Sequence, residues 1–316
     1  MAAAARLEPA EDLELVAVDV TPGFYRVPYI VSYLVHAPGA PLIVVDPGPS
    51  ATGCSRVLDW VERLGADRVV VYITHVHIDH AGAVGCLARS LGGRLLRVYA
   101  HPRAVPHLEN PSRLWRASRS FLGWIAEGYG EPLPVPPRLL EATADGARHS
   151  LGPVVIHVLH TPGHASHHQS IVLETGSVRV LFPGDSAGMA HPAVDAVAPT
   201  TPPPFRYNMY RESLLRQARA EPGLVAYTHT GLGEPSLLHR HLRQAETWWR
   251  AALELAEAAP DPPPERLLEK AAERDEDTRR FLDYASANSP ALYEALRHSA
   301  MGFLLHAAET RRPRAT

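Results

Sequence analysis

The sequence predicts an α/β protein in which two mixed sheets are flanked on the outside by helices, and three features of its 316 residues point that way. Apolar, β-rich runs recur in both halves with helical periodicity between them. A helical segment interrupts the first half, and nearly everything after Pro235 reads as helix.

Strands are expected at Leu13 to Val20, Tyr29 to His36, Leu42 to Val45, Arg68 to Thr74 and Leu95 to Ala100. In the second half they are expected at Val154 to Leu159, Gln169 to Leu173, Val178 to Phe182 and Leu224 to Thr228. Helical patterns lie at Thr52 to Leu64 and His80 to Leu91. Between Arg103 and Gly146 a helix over Pro111 to Tyr129 precedes the Pro-rich loop Glu131 to Pro137. On a helical wheel Leu114, Trp115, Ser118, Phe121, Leu122, Ile125 and Tyr129 share one face, which should pack on the body. Trp124 falls opposite and is the candidate for a lid or a subunit contact.

The helical tail is broken at Ala259 to Pro264. Trp248, Ala252, Leu255 and Ala259 mark the packed stripe of its first helix, and Ser289-Pro290 is an N-cap and N1 pair for the last. The chain therefore divides into a catalytic domain, 1–258, with a helical insertion at about 103–146, and a helical C-terminal extension, 259–316, read as an appendage or a dimerisation element.

A formal charge of −3 and a pI near 6.7 give no basic footprint for nucleic acid or an anionic membrane. No run approaches the ~18 apolar residues that a membrane span needs. After Met1 and four alanines come Glu8, Glu11, Asp12 and Glu14, where a signal peptide would be apolar. Cys54 and Cys86 are far apart and form no CxxC pattern, the plain reading being reduced thiols in a cytoplasm. A soluble cytoplasmic protein is expected, with a small-molecule substrate, no nucleic-acid or membrane partner, and a homodimer as the assembly to test.

The chemistry concentrates in His75-Val76-His77-Ile78-Asp79-His80, directly after the apolar run Arg68 to Thr74. Alternate residues of an extended segment point to one side, so His75 and His77 can chelate one ion. Asp79 and His80, where the chain turns into a helix, are free to reach a second. Other strand ends repeat the placement: Asp46 ends Leu42 to Val45, Asp185 follows Val178 to Gly184, His229 ends Leu224 to Thr228, and His164 follows Thr161-Pro162-Gly163. A lone His-x-His would be weak; this ordered set is specific.

On these motifs, spread over Leu13 to Glu246, the chain resembles the metallo-β-lactamase superfamily, and is most similar to its glyoxalase II-like and lactonase-like branches. The resemblance implies an αββα sandwich with metals at one edge between the sheets. It assigns His75, His77 and His164 to one metal, Asp79, His80 and His229 to the other, and Asp185 to the bridge. Asp46 matches an aspartate that orients a ligand rather than binding metal. His168 is the expected supporting neighbour of His164. His160 and His167 crowd around His164, but only His164 follows Pro-Gly; His101, His149, His157, His191, His239, His241, His298 and His306 are read as surface or packing residues.

Two divalent ions are expected, zinc first, with iron or manganese as the alternatives. A histidine rather than glutamate at position 77 favours hydrolysis over diiron oxygen reduction. The expected activity is attack by a metal-bridging hydroxide on a small ester, thioester or lactone, with Asp79 orienting the water or carrying its proton. Phosphodiester hydrolysis at the same centre is the alternative, and a mononuclear iron persulfide dioxygenase the alternative from another class. His107 at the start of the insertion and Tyr207 and Tyr210 in the Pro-rich stretch before Leu214 are the candidate substrate contacts, a phenol there serving as oxyanion donor.

Overall fold

The computed structural model describes residues 4–10 by backbone, and 13–176 and 178–311 in full. Met1, Glu11 and Asp12, used in reading the N-terminus, lie outside these residues, as do 312–316 at the end of the expected extension. The first sheet runs in order β1 (Ala4–Ala10), β2 (Leu13–Asp19), β3 (Val31–His36), β4 (Leu42–Val45), β5 (Val69–Tyr72), β6 (Leu95–Ala100) and β7 (Leu140–Ala142). Its first four strands pair antiparallel and the rest parallel. The parallel crossovers carry helices: α1 (Gly53–Arg63), then α2 (Ile78–Ala81) and α3 (Val84–Leu91), then α4 (Val105–Glu109), α5 (Ser112–Leu122) and α6 (Trp124–Tyr129).

The second sheet contains β8 (Arg148–Leu151), β9 (Val154–His160), β10 (Gln169–Thr175) and β11 (Val178–Phe182), followed in space by β14 (Leu224–Tyr227) and β15 (Gly231–Gly233). The ribbon β12 (Met189–His191) and β13 (Ala196–Ala198) and the helix α7 (Tyr207–Ala218) fill the crossover to β14. Four helices follow: α8 (Ser236–Ala258), α9 (Pro264–Ala272), α10 (Glu276–Asn288) and α11 (Pro290–Arg311). No described helix is long and apolar enough to cross a membrane.

Period-two alternation builds two cores from the same strands. Ile43, Val45, Val70 and Tyr72 turn inward to meet Ile156, Val158, Leu173 and Phe182 of the other sheet. Leu42, Val44, Val69 and Val71 turn outward under the helices. The sheets are laced together at one end: Val31 N–H donates to Thr228 O at 2.7 Å, and Gln169 N–H to Thr74 O at 2.8 Å. Leu267, Phe281 and Phe303 of the C-terminal helices are fully buried and belong to the same apolar core as the helices over the first sheet. Ser289 caps α11 as expected, its Oγ accepting from Leu292 N–H at 3.1 Å.

Three local expectations need correction. The helix expected over Pro111 to Tyr129 breaks at Gly123, whose φ of 57° a side chain would resist. The helix expected from His80 to Leu91 is likewise divided, with Gly82 and Ala83 between α2 and α3. Cys54 and Cys86 are joined in a disulfide, because α1 and α3 lie side by side although 32 residues separate the thiols. The reduced-cytoplasm reading therefore loses the free thiols on which it drew.

Behind the ribbon, His241 of α8 is wholly buried. Its Nδ1–H donates to Gln244 Oε1 at 2.9 Å, and its Nε2 accepts from Tyr210 O–H at 2.6 Å. Both nitrogens are satisfied in the neutral form, and burial pushes the imidazole down to about 4. On acidification the unfolded chain takes up this proton first, so stability drains from about pH 6.5 towards pH 4. In urea unfolding, His241→Gln should lose less stability than the parent over that interval, by on the order of 3 kcal/mol. Parallel pH profiles for the two proteins would reject this assignment.

Candidate metal centre

The laced end of the sandwich brings the chemistry-bearing strand ends together. Asp46, the residue after β4, is fully buried with φ 47°, a left-handed conformation that aspartate tolerates. Its Oδ1 accepts from Thr74 N–H at 2.8 Å, and its Oδ2 accepts from Thr74 Oγ1 at 2.6 Å, Thr228 Oγ1 at 3.1 Å and His80 Nδ1–H at 2.9 Å. That last bond fixes the His80 tautomer and leaves Nε2 bare. His80 Nε2 lies 3.2 Å from His229 Nε2 and 3.2 Å from Asp185 Oδ1.

Two other imidazoles repeat this logic. Thr74 Oγ1 has given its proton to Asp46, so at 3.1 Å it accepts from His75 Nδ1–H and leaves His75 Nε2 bare. His164 Nδ1–H donates to Thr200 O at 2.5 Å, leaving its Nε2 bare as well. His75 Nε2, His77 Nδ1 and His164 Nε2 then face one another at 2.9 to 3.2 Å. Lone pairs packed this closely repel unless a cation lies among them. Asp185 makes the same demand: its Oδ1 is buried with no hydrogen-bond donor.

Seven residues thus form two clusters, His75, His77, His164 and Asp185 in one and Asp79, His80 and His229 in the other. Asp185 straddles them, with Oδ1 3.3 Å from His229 Nε2 and Oδ2 3.5 Å from His164 Nε2. Asp79 Oδ2 stands 3.5 Å from His229 Nε2. His168, expected as a neighbour of His164, instead supports Asp185, its Nε2 accepting from Asp185 N–H at 3.1 Å. Burial, then repulsion from neighbouring imidazoles, pushes His75 and His77 well below the ordinary histidine value, which keeps them in the neutral form that ligates metal. Burial would raise the Asp185 carboxyl, but His80, His229 and His164 outweigh it and hold the group well below the usual range.

A match to the family model described as Metallo-beta-lactamase superfamily covers residues 25–229, and so takes in every one of these seven residues. The chain belongs to the metallo-β-lactamase superfamily. It is 32% identical over 176 residues to the metallo-beta-lactamase fold-containing protein ST1585 of Sulfurisphaera tokodaii, covering 55% of this chain and 65% of that protein. The crystal structure of ST1585 superimposes with a TM-score of 0.63 at 26% identity, over 73% of this chain and 85% of that one. TTHA1429 from Thermus thermophilus gives a TM-score of 0.60 over 92% of this chain and 93% of that one, at 22% identity, and so shows the fold alone. The uncharacterized protein Rv2581c of Mycobacterium tuberculosis is 28% identical over 131 residues, 42% of this chain and 54% of that protein. In the two curated relatives the match spans less than two thirds of the protein's length.

Above the superfamily's metal-site residues lies a pocket of about 690 Å³, mouth included. One wall is Ser118, Phe121, Leu122, Ile125 and Tyr129 of α5 and α6, the face expected merely to pack on the body. The opposite wall is Ala291, Ala295, His298 and Ser299 of α11, so His298, read as a packing residue, lines the site. Trp124 lies 56% exposed and meets Phe24 edge-on. Neither His107 nor Tyr207 lines the pocket. His107 stands on α4 with its nearest ring contact at His167, and Tyr207 stacks on Trp249 at 4.8 Å. Tyr210 is spent on His241. The tyrosines that do line it are Tyr25, Tyr29 and Tyr129; Tyr29 lies flat on the His229 ring at 4.3 Å. Only their place just upstream of a strand and in the insertion hinted at this, since no motif marks them.

The C-terminal helix also holds the floor. Ser299 Oγ donates to Pro199 O at 2.8 Å and accepts from Thr201 N–H at 3.2 Å, and Ser299 O accepts from Thr201 Oγ1 at 3.1 Å. Thr200 between them accepts from His164 Nδ1–H at its carbonyl and donates its hydroxyl to Asp185 O at 3.0 Å. Gly302 lies so close to Thr201 O that any Cβ would overlap it. Gly302→Val should push α11 off this segment and weaken metal retention at the His164 cluster by roughly tenfold or more, as loss of supporting partners does elsewhere. Chelator competition would measure it against Gly93→Ala, where the space is open; equal retention in both variants would refute the coupling.

Proposed function

We propose that the protein is a two-metal hydrolase acting on a small, uncharged ester, thioester or lactone. The observation that carries this reading is the convergence of bare imidazole nitrogens and carboxylate oxygens on the floor of a largely apolar pocket. Bound among those donors, a pair of divalent cations, with zinc the best match to imidazole and carboxylate ligands, would lower the pKa of a water towards about 7 and polarise the substrate carbonyl.

The chain's own residues supply the rest. Asp46, Thr74 and Thr200 hold three imidazoles in the tautomers that present bare nitrogens, and His168 holds Asp185. Asp79, the more exposed of the two cluster carboxylates, orients the attacking water and takes its proton. The water oxygen bonds to the acyl carbon, the acyl–oxygen or acyl–sulfur bond breaks, and the proton leaves on the departing alcohol, thiol or ring hydroxyl. Tyr29 takes the donor role first sought at Tyr207. Burial, then Tyr25, Asp185 and Asp79, raises its phenol well above the usual value, so it stays protonated and can donate to the developing oxyanion.

A neutral substrate suits the lining better than a phosphodiester. Among the described lining residues there is no arginine or lysine, and Arg119 and Arg297 on the flanking helices are engaged by Glu127 and by Glu265 and Glu294.

Metal-replete protein should contain two equivalents by elemental analysis and turn over part of an ester, thioester and lactone panel run beside bis(p-nitrophenyl) phosphate and a β-lactam. One iron with oxygen consumption on glutathione persulfide would sink the reading. Asp185→Ala should retain about one equivalent and lose nearly all turnover, and a folded variant at full rate would show the bridge to be misassigned. Tyr29→Phe should lower kcat on the order of 10²-fold with metal content intact; an unchanged kcat would remove Tyr29 from the reaction.

A further inference from the structure

Away from the metal-site residues the pocket is lined largely by apolar side chains. Leu122 and Ile125 come from α5 and α6, Ala291 and Ala295 from α11, and Pro202 joins them in the lining. The two walls belong to segments far apart in sequence, yet they meet: the Phe121 ring of α5 contacts the His298 ring of α11, centroids 4.6 Å apart. The polar groups of these walls are Ser118, Tyr129, His298 and Ser299; the Tyr129 hydroxyl is shared with Tyr25, and Ser299 is committed to Pro199 and Thr201.

Such a slot offers a polar substituent few hydrogen-bonding partners beyond Ser118 and His298. A carboxylate, phosphate or sugar entering it would shed its water with little replacement, at a cost that a hydrocarbon escapes. Ala291 and Ala295 are the small side chains that α11 contributes to the lining, where a larger residue would occupy pocket space.

We infer that this slot between α5–α6 and α11 is an acyl-chain subsite, and that the substrate carries an uncharged aliphatic acyl chain of medium length, its carbonyl at the metal-site floor and its chain between the two walls. The inference rests on the hydrolase reading above. Burying methylenes there should raise affinity roughly threefold to fourfold for each one.

Two readouts on the metal-loaded protein test it. The first is kcat/KM for p-nitrophenyl esters from acetate through butyrate and hexanoate to octanoate. It should climb at least tenfold before it levels off. Ala295→Phe, which narrows the slot, should move the optimum to shorter chains, and Leu122→Ala, which widens it, to longer ones; damage to the fold would not shift two variants in opposite directions. The second is calorimetric binding of the unreactive ketones 2-butanone, 2-hexanone and 2-octanone, which needs no catalysis. Binding should tighten at least tenfold along that series.

Ester turnover with no dependence on chain length, or with the same optimum in both variants, overturns the acyl subsite and leaves the hydrolase standing. Failure to cleave any ester, thioester or lactone overturns the hydrolase reading, and the ketone series then decides the slot alone. Equal binding of butanone and octanone overturns it in either case.

Discussion

The arrangement depends on one buried carboxylate. Asp46 has no water to stabilise its charge, and its four donors come from the end of β5, the end of β14 and the turn into α2. Those elements belong to both sheets. A buried anion with fewer partners would cost several kcal/mol, so the sandwich is held in the one register that brings Thr74, Thr228 and His80 to it. His75 follows Thr74 and His229 follows Thr228, so satisfying Asp46 also sets the spacing of the metal-site residues. The carboxylate therefore works on structure and chemistry together: it closes the laced end of the sheets and selects the tautomer in which His80 presents a bare nitrogen.

A second chain of contacts extends that order outward. From His164 it passes to Thr200, from the backbone on either side of Thr200 to Ser299, and so into α11, which is packed in the same apolar core as α8 and α9. The C-terminal helices are thus tied to the floor by hydrogen bonds and to the body by buried aromatic side chains such as Phe303, which touches Trp248 and Phe205. A helix attached only by packing could slide by a fraction of a turn; one whose Gly302 abuts the Thr201 carbonyl has much less freedom.

How much of this was legible in the sequence followed from how local the cause was. A run such as Leu42 to Val45 is buried on both faces, so it stands out as a continuous apolar stretch and coincides with β4. The metal-site residues were legible because each terminates such a run. The short pairs β7, β12, β13 and β15 escaped, since three residues carry no period of their own and are strands only because a neighbour supplies the ladder. The break at Gly123 was hidden by a wheel on which a lone glycine looks tolerable, and the Cys54–Cys86 disulfide by a spacing that acquires meaning only when α1 and α3 are laid together. Tyr207 read as a loop residue because it follows Pro202-Pro203-Pro204, yet it begins α7 and is covered by Trp249 of α8. Tyr29 was overlooked for the opposite reason: it stands next to an apolar run and passes for core.

Floor and walls differ in how freely they can change. The floor is made of strand ends whose positions the two sheets impose, and any shift there disturbs Asp46. The wall of α5 and α6 is an insertion between β6 and β7, two parallel strands whose pairing does not depend on what connects them, so its residues can vary with little effect on the metal-site geometry. The wall of α11 lacks that freedom. Ala295 and His298 face the pocket within one turn of Ser299, whose Oγ also lies 3.0 Å from Ala295 O, and Gly302 follows three residues later. A substitution that reshapes this side of the slot is therefore felt at Thr200, and through it at His164. Selectivity can be retuned from the insertion alone, whereas a change on α11 alters the pocket and the metal-site geometry together.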